Sequence, residues 1–173
     1  MTSPVRVGIV LGSDSDLETM MDTVKILESL DIGYEVVVAS AHRTPRRTEE
    51  WASSAADRGL RVLIAAAGGA AALPGVVAGF SSLPVIGVPI AATTLNGLDA
   101  LLSIVQMPKG VPVATVAIGS WGAANAAILA AQILSVADAE LGKRLAAYRT
   151  RLADEVDERA RRVADKLKSR SGG

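Results

Sequence analysis

Apolar and polar positions along this chain switch repeatedly between two periods. Val5 to Leu11 is a near-continuous apolar run closed by Gly12, as expected of a strand buried on both faces. Leu17, Met20, Met21, Val24 and Leu27 then recur at helical spacing up to Leu30. Tyr34 to Ala39 is rich in β-branched residues and predicts a second strand. Thr44-Pro45 predicts a helix start, a hydroxyl cap followed by proline at the first helical position, with the helix running to about Arg58 and closed by Gly59. Val62–Ala66 and Pro84–Val88 predict strands three and four, Leu98–Val105 a helix, Val113–Ile118 strand five, and Ala123–Leu134 a further helix.

Such strand–helix alternation predicts an α/β fold: a three-layer α/β/α, flavodoxin-like, doubly wound parallel sheet. A different pattern follows. Leu141, Leu145, Tyr148, Leu152, Val156, Val163 and Leu167 form an apolar stripe on a charged segment, predicting a C-terminal amphipathic helix. The expected organisation is a single domain over 1–173, with a core at about 5–135 and a C-terminal helical segment at about 138–168. The end, from Ser169 to Gly173, is expected to fray.

Charge is unevenly distributed. No charged residue occurs from Val62 to Leu98 or from Gly110 to Ala137. Gly68, Gly69, Pro74, Pro84, Gly87 and Pro89 cut the first stretch into strand- and helix-sized pieces, which argues against a membrane span. The intervening helices carry alanines in place of charges, so both of their faces are expected to be covered, as in a homo-oligomer. Eighteen basic and eighteen acidic residues cancel, so no global positive field marks a nucleic-acid binder. The absence of cysteine excludes disulfides, a thiolate nucleophile and cysteine-based zinc, and a single histidine excludes a multi-histidine metal site. Met1 to Arg6 lacks the apolar core of a signal peptide, giving a cytoplasmic expectation.

Three loops carry candidate chemistry, each at the carboxyl end of an expected strand, where open α/β sheets bind ligands. In Gly12-Ser13-Asp14-Ser15-Asp16 the glycine permits a tight turn and the serines suit an anion, while aspartate suits ribose hydroxyls; Ser15-Asp16-Leu17-Glu18 equally fits a capping box. Ser40-Ala41-His42-Arg43 places the only histidine, with an unperturbed pKa of about 6.5, beside a guanidinium suited to phosphate. The plainer reading is a histidine bound to backbone and a solvated arginine. Gly68-Gly69-Ala70-Ala71-Ala72-Leu73-Pro74-Gly75 allows close approach to backbone amides, or simply tight packing; it is neither a dinucleotide fingerprint nor a Walker loop.

These loops, with Ser103-Ile104-Val105-Gln106-Met107-Pro108 and Ala117-Ile118-Gly119, occur in an order that resembles the N5-carboxyaminoimidazole ribonucleotide mutase family of purine biosynthesis, the catalytic PurE type, over about residues 5 to 150. The resemblance implies transfer of a carboxylate from N5 to C4 of an aminoimidazole ribonucleotide by decarboxylation and recarboxylation, without metal or other cofactor, in a homo-octamer. It implies that His42 is the acid/base, that Arg43, Ser15 and Ser40 hold phosphate, that Asp16 holds the ribose, and that Ser13, Gly68, Gly69 and Leu73 line the base and carboxylate. Family members usually carry histidine where this chain has Ala72. That leaves open a weakened mutase, a relative with another substrate, a binding-only paralogue, an engineered change, or a gap filled by water. Direct carboxylases of the same family are a lower-ranked reading. The related pyridinium synthase chemistry is excluded by the missing cysteine.

Overall fold

In the computed structural model, residues 4–171 are described. Residues through Leu134 form one compact unit and those from Ser135 a second.

The first unit is built on five parallel strands: β1 (Val5–Leu11), β2 (Gly33–Val38), β3 (Val62–Gly68), β4 (Val85–Ile90) and β5 (Ala114–Thr115), in the order β2-β1-β3-β4-β5. Five helices belong with them: α1 (Leu17–Ser29), α2 (Pro45–Ser53), α3 (Leu73–Phe80), α4 (Leu98–Val105) and α5 (Ser120–Ser135). This is the expected doubly wound α/β sheet. The strand order reverses direction between β1 and β3, so their following loops diverge and leave a crevice at the carboxyl edge.

The period-two rule sorts β3 residues onto two faces. Leu63, Ala65 and Ala67 join Trp51, Ala52, Leu73, Val77, Ala100 and Ile104 in one core under α2, α3 and α4. Val62, Ile64 and Ala66, equally buried, point the other way, where α1 and α5 supply Met20, Val24, Leu27, Ala126 and Ala130. The Thr23 hydroxyl donates to the Ala123 carbonyl at 2.7 Å and ties α1 to α5. Glycine sets the closeness of the first layer. A Cβ on Gly8 would lie 2.8 Å from Leu60 and Trp51 side-chain atoms, and one on Gly87 would lie 2.5 Å from Ile104.

Several expectations need correction. Helix α2 ends at Ser53, not near Arg58; the Ser53 and Ser54 hydroxyls bond to Glu49 and Glu50 carbonyls and the chain passes into turns. Strand β5 pairs over only two residues, Ala114 and Thr115 against Ile86 and Gly87, although the Val116 and Gly119 amides still donate to the Gly87 and Pro89 carbonyls of β4. On the edge strand β2, Val36 and Val38 are exposed.

The second unit holds α6 (Ala139–Ser171), a helix of 33 residues. The Asp138 carboxylate accepts from the Leu141 N–H at 3.0 Å and caps it. Its charged flank carries i,i+3 and i,i+4 pairs, Lys143–Glu140 and Arg159–Glu155. Leu152, Val156, Val163 and Leu167 of the apolar stripe are exposed. The helix continues to Ser171 where fraying was expected; Gly172 and Gly173 lie outside the described residues, as do Met1 to Ser3. No helix among the described residues is long and apolar enough to cross a membrane.

Candidate active site

The loop after β1 is folded by its own side chains. Ser13 is extended and caps a short 3-10 turn, Asp14–Asp16: its hydroxyl accepts from the Ser15 N–H at 3.4 Å, and its N–H donates to Asp16 Oδ2 at 3.1 Å. The capping box therefore joins Ser13 to Asp16, two residues earlier than Ser15 and Glu18 would place it. The Asp16 side chain gives α1 no cap bond. Asp16 is buried, and that desolvation holds its carboxyl above the usual aspartate range, against the lowering effect of the Ser13 amide. The Ser15 hydroxyl donates to Ser13 at 2.9 Å, and that of Ser13 donates to Asp14 at 3.1 Å, leaving an exposed hydroxyl chain at the loop's rim.

After β2, the Ala39 N–H donates to the Leu11 carbonyl and keeps the chain beside β1. Thr44 is the cap residue of α2, but its hydroxyl does not cap the helix. It accepts from the Ser40 N–H at 2.9 Å and donates to the Ser40 carbonyl at 3.2 Å, closing the Ser40–Thr44 loop instead. The Arg43 N–H donates to Ser40 Oγ at 3.3 Å, and its guanidinium reaches back to the Gly12 carbonyl at 3.3 Å. Arg43 thus links the first two loops. The His42 side chain is exposed on the wall of the crevice.

Strand β3 extends to Gly68, two residues beyond the point where Leu11 of β1 pairs with Ala66. That overhang brings Ala67 and Gly68 to the cavity. Gly68 has no room for a side chain: a Cβ there would lie 2.5 Å from the Ala92 Cβ and 3.1 Å from the Ile90 carbonyl. Beyond it the backbone turns through two left-handed residues, Gly69 at φ 63° and Ala71 at φ 39°. The second is a strained conformation for a residue with a Cβ. The Ser103 hydroxyl of α4 donates to the Ala70 carbonyl at 2.5 Å and pins this turn. Ala72 is the cap residue of α3 and provides no side-chain cap bond.

The three loops enclose one cavity of about 340 Å³. The first contributes Ser13, Ser15 and Asp16, the second Ser40, His42 and Arg43, the third Gly68, Ala72 and Leu73. Gly69 is not among its lining residues; its part is the turn. Sequence reasoning missed Ala92 from the β4 loop, which carries no polar group and gives no signal in a sequence. It also missed Arg47, which lines an adjoining cavity of about 360 Å³ that shares Gly12, Ser13, Ser40 and Arg43 with the first. Hydroxyls, a carboxylate, a guanidinium and an imidazole thus line one cavity together with several alanines. Such a set can bind a polar anionic ligand at one end and exchange a proton with it at the other.

Comparison with known proteins agrees with this geometry. A family model described as AIR carboxylase matches residues 6–155. The N5-carboxyaminoimidazole ribonucleotide mutase of Thermotoga maritima is 56% identical over 158 residues, covering 91% of each chain. That of Mycobacterium tuberculosis H37Rv is 54% identical over 165 residues, 94% of each. Among solved structures, Treponema denticola PurE superimposes with a TM-score of 0.78 at 31% identity, covering 88% of this chain and 94% of its own. With the three loops in register on this sheet and the matches spanning nearly its whole length, the chain belongs to the AIR carboxylase family, the PurE family.

Proposed function

We propose that this protein is an N5-carboxyaminoimidazole ribonucleotide mutase of purine biosynthesis, with His42 as its acid/base. The observation that carries the assignment of His42 is that the only imidazole in the chain shares one cavity with Arg43, Ser40, Ser15 and Asp16, at the carboxyl edge where β1 and β3 diverge. In this reading Arg43, Ser15 and Ser40 hold the substrate phosphate and Asp16 the ribose hydroxyls. Ser13, Gly68 and Leu73 line the imidazole and its carboxylate, with Gly69 shaping the turn beside them. The N5 carbamate loses CO2 as His42 supplies a proton to N5; C4 then attacks the retained CO2, and His42 takes the C4 proton, which restores the ring and returns His42 to its starting state. Carbon dioxide must stay in place between the two steps, and the apolar wall of Ala67, Ala71 and Leu73 suits its retention. One near-neutral base suffices for the proton, and the reaction as written needs no cofactor.

Ala72 lines the same cavity, where the resemblance puts a histidine. A lost hydrogen bond there costs about 1–3 kcal/mol, or roughly ten- to hundredfold in rate. The binding-only reading is disfavoured, because the cavity keeps a titrating group that binding does not require. Purified protein and its Ala72→His variant, each mixed with N5-carboxyaminoimidazole ribonucleotide, test both points. The native chain is expected to form the C4-carboxylated isomer, and the variant to form it about ten- to hundredfold faster. No turnover above the uncatalysed rate between about pH 6 and 8, the window around an ordinary histidine pKa, would remove the assignment.

The same reading carries a cytoplasmic protein acting as one domain in a homo-oligomer, an octamer by family resemblance, with a small-molecule ribonucleotide as ligand and neither nucleic acid nor membrane as partner. The exposed apolar side chains of Leu95, Leu98, Leu102, Val105 and Trp121 support a subunit interface.

A further inference from the structure

We propose that Arg47 is a further substrate-binding residue, pairing with Arg43 in a two-guanidinium clamp on the 5′-phosphate of the ribonucleotide. The inference rests on the mutase reading for its ligand, but its observations are separate.

The first observation is place. Arg47 lines the cavity that adjoins the His42 cavity, and Arg43 lines both. The Arg43 guanidinium donates to the Gly12 carbonyl, and Gly12 too lines both cavities. An anion held by Arg43 in the adjoining cavity shares that cavity with Arg47.

The second is charge. The ionisable groups lining the two cavities, besides His42, are Asp14, Asp16, Arg43 and Arg47. A phosphate monoester carries about −1.5 to −2 charges at neutral pH. With Arg43 alone it would enter a site lined by two carboxyl groups and one guanidinium. Arg47 restores the balance. Neither arginine is ion-paired within the described residues, in contrast to Arg58, which is paired with Glu35 at 2.9 Å.

The third is a local rule broken. Arg47 sits in the first turn of α2, at the positive end of the helix dipole, where a carboxylate is favoured and a cation costs stability. That turn holds no acidic residue at all. The Thr44 hydroxyl, which would ordinarily occupy the free amides, is engaged with Ser40. A helix start that gathers cations and leaves its amides uncapped is unfavourable by itself and becomes favourable once an anion binds. Violations of this kind collect at functional sites.

The test compares the native protein with Arg47→Gln, using calorimetry with aminoimidazole ribonucleotide and with the corresponding nucleoside, which lacks phosphate. Turnover of N5-carboxyaminoimidazole ribonucleotide is followed in parallel. A charge-assisted phosphate contact predicts a Kd for the ribonucleotide weakened about ten- to hundredfold, with KM following and kcat within about threefold. The nucleoside should bind both proteins equally, and the melting temperature of the variant should not fall. Arg47→Lys should recover part of the loss, because it restores charge without the planar fork. An unchanged ribonucleotide Kd overturns the clamp. So does an equal weakening toward nucleotide and nucleoside, which would mark a structural role. Phosphate-dependent weakening in a protein whose native form shows no turnover would support the clamp and sink the mutase reading, so the two fail separately.

Discussion

One carboxylate, that of Asp16, holds the β1 loop by accepting the Ser13 amide and is also offered to a ligand. Its burial raises its pKa, so the folded protein bears a cost for keeping it ionised. The sign follows from linkage: a carboxyl whose folded pKa lies above its unfolded value destabilises the fold when both states are ionised, and the cost fades as both become protonated. Asp16→Asn keeps an acceptor for Ser13 and removes the charge. The melting temperature of this variant is expected to match or exceed that of the native protein at pH 7, with the gain shrinking as pH falls through the raised folded pKa toward the ordinary aspartate value of 3.8 and gone below it, while KM for the ribonucleotide rises. Scanning fluorimetry across pH, beside steady-state kinetics, checks this; a melting temperature lowered at pH 7 would show that the hydrogen bond outweighs the buried charge. Residue type and local order made His42, Arg43, Ser40 and Asp16 legible in the sequence, since a titrating group, a fork of donors and short hydroxyls cluster at strand ends. The positive φ of Ala71 and the diversion of Thr44 from capping to loop closure were not legible. Both are decided by contacts with residues from other parts of the loop or from α4, and local propensity holds no record of them.

At the scale of elements, two motifs without chemistry of their own prove to be supports. Ser103 of α4 pins the glycine turn through Ala70, and Ile104 packs where Gly87 leaves space. Met107 approaches Gly75 of α3, where a Cβ would stand 3.0 Å from its sulfur, and Ile118 fills the space over Gly97. The strand overhang at Gly68 depends on the same close contact between neighbouring backbones. Gly68→Ala is expected to cost about 1–3 kcal/mol of stability through overpacking against Ala92, and to lower kcat/KM more than its stability loss alone explains, because the cavity wall moves. Urea unfolding with kinetics below the transition measures both; an alanine variant with native midpoint and native kcat/KM would contradict the packing argument. The strands and most helices follow from period, and helix α4 and strand β1 have the limits expected, but the sequence reading assigns no range to α3, because its start falls in the glycine loop. The end of α2 is set by turn hydrogen bonds, which periodicity does not hold, and nothing in the structure explains why β5 is so short.

For the molecule as a whole, the uncharged stretches divide into two cases. Alanines of α5 such as Ala123, Ala127 and Ala131 are buried within the subunit, whereas Leu98, Leu102 and Val105 form an exposed stripe along α4. The proposed homo-oligomer would cover that stripe, which a lone subunit leaves in water. Light scattering is expected to give a mass several times the 17.8 kDa of one chain, and Leu102→Glu to shift it to smaller species; a native protein that scatters as a monomer would contradict this. The fold class was legible because alternation is a whole-chain signal, while the convergence of three distant loops on one cavity became visible only in three dimensions. The central claim is that His42 carries the proton within that cavity. Its most direct test is His42→Asn, assayed for binding of aminoimidazole ribonucleotide by calorimetry and for conversion of the N5-carboxylated substrate. Binding is predicted to stay within a few fold of native while turnover falls by a factor of about a hundred or more; a variant that binds and turns over at the native rate would contradict the account.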